Sequence, residues 1–166
     1  MSKTSKTNTV KVIIETPKGS RNKYDYDPKS KEYCLGKVLP KGMIFPYDFG
    51  FVPGTKAQDG DPIDVLVLLD DPTFCGCVIE VRLIGVIEGK QTTTKGKSIR
   101  NDRLLGISEK SAEHKRIHSI QELPIQILEQ LEHFFVSYHD LDGEKFEVLS
   151  CEGPRKAKKM LAKSIR

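Results

Sequence analysis

The chain is 166 residues long and carries 27 Lys and Arg against 23 Asp and Glu, for a formal net charge of +4, with 37 % hydrophobic residues and no tryptophan. That length suits one domain over residues 1–166 with a substantial core, and the composition excludes a disordered or collagen-like chain. Residues 1–11 and 155–166 hold nine of the positive charges and no acid, which leaves the body acidic, reads residues 1–9 and 162–166 as loose basic tails, and excludes nucleic-acid reading by the body.

From the N-terminus, Val10 to Glu15 is rich in β-branched residues and predicts a strand, stopped by Pro17-Lys18-Gly19-Ser20. Lys23-Tyr24-Asp25-Tyr26-Asp27 alternates, so an extended backbone puts the charged side chains on one face and the tyrosines on the other. Met43 to Phe51 mixes aromatic residues with breakers and reads as a structured loop joining irregular strands. Val65 to Leu69, Val78 to Ile87 and Leu104 to Ile107 predict further strands, the last two separated by a polar, basic loop from Glu88 to Arg103. His114 and His118 stand four apart on a candidate helix whose Lys115 and Arg116 mark a solvated face. The long helix runs from about Pro124 to His139, with Ser119 and Glu122 as a capping box and Leu128, Leu131, Phe135 and Tyr138 as core stripe, widened by Ile127 and Phe134. Phe146 to Leu149 predicts a last strand, and Gly153-Pro154 opens a basic C-terminal helix. Many short strands with one or two packed helices indicate an α+β, mainly β chain: a small OB-like barrel with flanking helices.

No stretch approaches the roughly 18 apolar residues of a membrane span, and the first residues lack the apolar core of a secretion leader, so a cytoplasmic location is expected. Cys34, Cys75, Cys77 and Cys151 lack paired zinc spacing and read as reduced structural thiols.

Chemistry concentrates in Asp59-Gly60-Asp61-Pro62-Ile63-Asp64, which runs into an apolar strand. Gly60 and Pro62 exclude a helix, and Asp61, before a proline, is driven toward extended angles. Asp59 and Asp61 then share a face, and a bend at Pro62-Ile63 can bring Asp64 round to them. Three carboxylates with only Lys56 nearby either raise a pKa or recruit a cation, and oxygen-only ligands suit Mg2+, with Mn2+ as the alternative. The bland alternative is turn chemistry with three solvated acids. A calcium loop fits badly, because Ile63 and Asp64 occupy the positions that need an oxygen ligand and a glycine.

The segment DGDPIDVLVL resembles the signature of the family I soluble inorganic pyrophosphatases, supported by Glu15, Lys23-Tyr24-Asp25, Phe45-Pro46, Phe49-Gly50-Phe51, Ile84-Gly85-Val86 and His133-Phe134-Phe135 through Tyr138. The resemblance implies a five-stranded barrel, Mg2+-dependent hydrolysis of pyrophosphate in the cytoplasm, and a homo-oligomer, with a hexamer favoured. It implies Asp59 and Asp64 as metal ligands, joined by Glu15, Asp25 and Asp102, with Asp61 as the base acting on water. Lys23, Lys37, Arg103, Tyr138 and His139 fall on phosphate-contacting positions.

Departures from the family pattern cluster in the same places. Lys37 stands for an arginine, Phe45 and Phe49 for tyrosines, Asn101 for a carboxylate, Arg103 for a lysine, and His139, only partly charged at neutral pH, for a lysine. The loop from Thr94 to Arg103 is basic where the family is acidic, so Lys97 or Arg100 is a candidate to replace a metal ion. Two alternatives stay open: action on another phosphoanhydride, and a non-catalytic polyanion-binding OB-like protein.

Overall fold

The computed structural model describes residues 8–166. In chain order they form β1 (Val10–Thr16), β2 (Asn22–Asp27), β3 (Glu32–Val38), β4 (Asp48–Phe51), β5 (Asp64–Leu68), β6 (Val78–Thr92), β7 (Ser98–Arg100), β8 (Arg103–Ser108), α1 (Ile125–Asp140), β9 (Lys145–Glu152) and α2 (Pro154–Ser164), with a 3-10 turn at Ile120–Glu122. Strands β1-β4-β5-β8-β6 hydrogen-bond in that order, and β1 also pairs with β6 from Val10↔Val81 to Ile13↔Val78, closing a five-stranded ring. The expected OB-like barrel is therefore present. Closure removes the free edges that an open sheet would expose.

Alternation along β5 sorts its side chains into two cores. Leu66 and Leu68 join Phe49, Leu105, Ile107 and the α1 residues Leu131, Phe134 and Phe135. Val65 and Val67 join Val12, Ile14, Val81, Leu104 and Ala157 of α2. A period-2 pattern buried on both faces leaves no polar position inside the strand, which is why the polar residues gather at its start. The β5–β8 pair is parallel and sets Asp64 directly opposite Arg103, each the first residue of its strand.

Several expectations are corrected. The stretch from Glu88 to Arg103 is not a loop: β6 continues to Thr92 and returns as β7, pairing Lys90 with Arg100 and Thr92 with Ser98. Strand β3 was not legible in the sequence because it is exposed along most of its length and carries no apolar alternation; pairing with β2 alone makes it extended. His114 and His118 do not lie on a helix, since residues 110–119 form turns and bends. Ser119 and Glu122 do not cap α1; they belong to the 3-10 turn, and Glu122 accepts from the His118 amide (3.3 Å). The C-terminal residues are docked rather than loose: Ile165 bridges to Thr55, and the Arg166 amide donates to Gly54 (3.2 Å). Of the N-terminal tail, residues 1–7 lie outside the described residues, and Val10 already belongs to β1. All four cysteines are free thiols.

Candidate active site

Three segment ends meet at the start of β5 and β8. The signature loop reaches the barrel through a tight turn in which Gly60, at φ +94°, adopts a backbone that other residues reach only with strain. The Asp61 amide donates to the Asp59 carboxylate (3.1 Å), and the Ala57 amide donates to the Asp61 carbonyl (2.7 Å). These bonds fix Asp59 and leave the Asp61 side chain exposed. From β1, Glu15 accepts the Tyr26 amide (2.7 Å), which ties the β2–β3 hairpin to the barrel beside this loop. On β2, Lys23 and Asp25 share one face and form an ion pair, while Tyr26 on the opposite face stacks on Phe51 with ring centroids 5.7 Å apart. Gly36, across the hairpin, is the open floor for that pair: a Cβ there would lie 1.9 Å from the Asp25 carboxylate. No periodicity in the sequence singled out Gly36, because the constraint comes from the partner strand.

Arg103 is the organising cation. It is 3 % exposed, its guanidinium lies 4.1 Å from the Phe135 ring centroid and 5.0 Å from that of Phe146, and it donates to the Asn101 carbonyl (3.2 Å). It also meets His139 Nε2 at 3.0 Å. His139 does not behave as the partly charged phosphate contact that the sequence suggests. It is 6 % exposed and stacked on Phe146, and burial, with Arg103 and Lys37 adding to it, pushes its pKa down to about 3. A neutral imidazole then accepts from Arg103 and holds it opposite Asp64.

Burial pushes the Asp64 carboxyl up to about 7; Arg103 pulls it back, while Asp59 and Glu15 add to the rise. Burial also raises Asp59 and Glu15, with Asp61 contributing to both. These mutual effects place Glu15, Asp25, Asp59, Asp61 and Asp64 in one electrostatic site. Lys23 is held above its ordinary value because Tyr138 and Asp25 outweigh its burial. Tyr138 is pushed up to about 12 by burial, so it stays a hydroxyl donor, and Lys37 lies 4.3 Å over its ring while pairing with Asp142 (2.6 Å).

Two residues are not brought to this cluster. Asp102, expected among the metal ligands, lies between β7 and β8, where it accepts the Gly89 amide (2.9 Å) and pairs with Arg100 (3.0 Å), and these two bonds direct it away from the signature acids. Arg100 is occupied by Asp102 and Glu88 (3.3 Å), so it does not stand in for a metal among the signature acids. Phe45 and Phe49 are core rings: Phe45 is 1 % exposed and packs against Phe49, Phe134 and Tyr138 at 5.1–5.9 Å.

The donor set fits a hard divalent cation, because it offers carboxylate oxygens alone, and desolvation with mutual repulsion holds the half-buried Asp64 and Glu15 above their ordinary pKa even with Arg103 and Lys23 nearby. No three of these carboxylates approach within 4.8 Å; the one triad that does so among the described residues is Asp70, Glu113 and His114, beyond the far end of β5.

Fold and site together define a metal-dependent hydrolase of phosphate compounds on an OB-like barrel. The model of the family described as inorganic pyrophosphatase matches residues 12–166. An inorganic pyrophosphatase of Methanosarcina acetivorans is 40 % identical over 150 residues, 90 % of this chain and 86 % of the relative, and one of Geobacillus stearothermophilus is 36 % identical over 94 % and 92 %. The crystal structure of inorganic pyrophosphatase from Thermus thermophilus superposes with a TM-score of 0.88 at 32 % identity, covering 98 % of this chain and 92 % of that one. The chain belongs to the family I soluble inorganic pyrophosphatases.

Proposed function

We propose that this protein hydrolyses inorganic pyrophosphate to two phosphates at the start of β5 and β8, with Mg2+ as its cation. The observation that carries the reading is the half-buried Asp64, pushed up to about 7 and set opposite an aromatic-clamped Arg103, within the family signature. Asp59 and Asp64 would hold the metal, with Glu15 and Asp25 completing its surroundings. The bound metal supplies positive charge to the phosphate oxygens and lowers the pKa of water. Asp61, exposed and fixed through its backbone, takes the proton from the attacking water. Lys23, Lys37 and Arg103 bind the phosphate oxygens and balance the charge that grows on the leaving group, while the Tyr138 hydroxyl donates to it. His139 acts through Arg103 rather than on the substrate, and Asp102 is not among the ligands.

The protein works in the cytoplasm as a homohexamer; its free thiols and exposed apolar side chains such as Leu35, Phe74, Ile125 and Val136 support that reading. No helix among the described residues is long and apolar enough to cross a membrane.

Phosphate release from pyrophosphate, with nucleoside triphosphates run alongside, tests the function. Release should require Mg2+ and be far slower with the triphosphates. Asp59→Asn and Asp64→Asn should weaken metal affinity, so that raising Mg2+ restores part of their activity; a flat metal response would remove both from the ligand set.

A further inference from the structure

Behind the catalytic face, α2 and the barrel enclose a cavity of about 260 Å3. Cations reach it from three separate places in the chain: Lys56 from the segment leading into the signature loop, Arg100 from β7, and Lys156, Lys159 and Lys163 from α2. Its two carboxylates are already committed. Glu88 pairs with Arg100 (3.3 Å) and Lys156 (3.7 Å), and Asp102 pairs with Arg100 (3.0 Å). Lys56, Lys159 and Lys163 have no ion-pair partner among the described residues, so the cavity carries an uncompensated positive charge of three side chains. A solvated basic helix would spread its lysines over its outer face. Here elements far apart in sequence bring them to one concavity, whose remaining wall joins the apolar Ala57, Ile63 and Met160 to the polar Gln58 and Ser164.

We propose that this cavity is a second, non-catalytic binding site for a phosphate-bearing small molecule. The phosphate is held by Lys159, Lys163 and Lys56, and an apolar or heteroaromatic part lies against Ile63 and Met160. The volume suits a phosphate group with part of such a moiety and is below the 300 Å3 or so at which drug-sized pockets begin.

The same walls reach the catalytic site, and this coupling rests on the proposed function. Gln58 precedes Asp59, and Asp102 precedes Arg103. The C-terminal end of α2 is zipped to the loop, because the Lys56 amide donates to Ser164 (2.8 Å) and the Arg166 amide to Gly54 (3.2 Å). An anion that draws Arg100 or the α2 lysines toward it therefore pulls on both segments, and its occupancy changes the apparent KM for pyrophosphate.

The test is calorimetric binding of adenosine monophosphate, which has no phosphoanhydride to hydrolyse, and of inorganic phosphate, to the full chain. Lys159→Glu should weaken binding at least about tenfold, whereas Lys158→Glu, the same charge change on the same helix outside the cavity, should leave it unchanged. Both variants should hydrolyse pyrophosphate at the parent rate without added ligand. Phosphate binding alone, lost in Lys159→Glu and kept in Lys158→Glu, retains the site and names free phosphate as its occupant. The proposal falls if neither probe binds, if the two variants behave alike, or if a bound probe leaves the KM of the parent unmoved. Binding is read without turnover, so a parent that binds the nucleotide but releases no phosphate from pyrophosphate overturns the proposed function and not this site.

Discussion

At the mouth of β5 and β8 charge is held by burial: Arg103 is clamped between Phe135 and Phe146, bonded to His139 and to a carbonyl, and set opposite Asp64. In the cavity under α2 charge is carried by long lysines whose ammonium groups have no fixed partner among the described residues, and Lys56, Lys159 and Lys163 are all exposed. The contrast is one of preorganisation. A group that must stabilise charge as it develops is most effective when it need not move, whereas a group that captures an anion from water gains from reach and pays little desolvation. Substitutions at the first region should therefore act on turnover and folding, and those at the second on binding.

The sharpest break in that comparison is Asp61→Asn. Asp61 is the exposed member of the catalytic region, so the fold should survive while phosphate release falls by about 10^2 to 10^4, as for loss of a general base. Unchanged thermal unfolding with unchanged activity would remove Asp61 from that role.

Next in size, Arg103→Lys keeps the charge and discards the planar fork that meets Asn101 and His139. Hydrogen bonds to charged groups contribute about 1.5–3 kcal/mol, so kcat/KM should fall roughly ten- to a hundredfold. A lysine that works as well would show that the position needs only a point charge.

His139 gives a pH signature that the exposed lysines cannot. Its folded pKa, about 3, lies below its ordinary 6.5. Between those values the unfolded chain takes up a proton that the folded protein refuses, so stability declines as pH falls through that window. His139→Gln keeps a neutral acceptor for Arg103 and should lose less stability in urea unfolding between pH 6.5 and 4. Parallel curves for the two proteins would mean that the imidazole is protonated in the fold.

The smallest effect is expected at Phe45. The family pattern suggests that Phe45→Tyr restores a useful hydroxyl, but the ring is 1 % exposed among Phe49, Phe134 and Tyr138. Burying an unpartnered hydroxyl should cost about 1–3 kcal/mol by denaturant unfolding and leave phosphate release no faster. A gain in activity would show that the aromatic cluster opens onto the substrate.

The sequence by itself determined the parts whose information is local. Asp59, Asp61 and Asp64 were legible because Gly60 and Pro62 restrict the backbone between them, and β1, β5, β6 and β8 were legible because β-branched and continuous apolar runs report burial, whereas β4 (Asp48–Phe51) read as part of a loop because breakers interrupt its aromatic residues. Helix α1 was read to within a residue at each end, since a 16-residue apolar stripe outweighs the ambiguity of its caps. Tertiary structure alone decided which neighbours share a face. Asp102 and Arg103 are adjacent in sequence, yet one is bonded beneath α2 and the other is clamped beneath α1, a division made by pairing with β5 and by the bond from Gly89. It also decided the state of His139, whose partial charge follows from its type but whose neutrality follows from Arg103, Phe146 and burial. The cavity under α2 is of the same kind: Lys56, Arg100 and Lys159 lie on different elements, and only the closed barrel with α2 zipped against it brings their charges to one place, because electrostatic fields add in space and not along the chain.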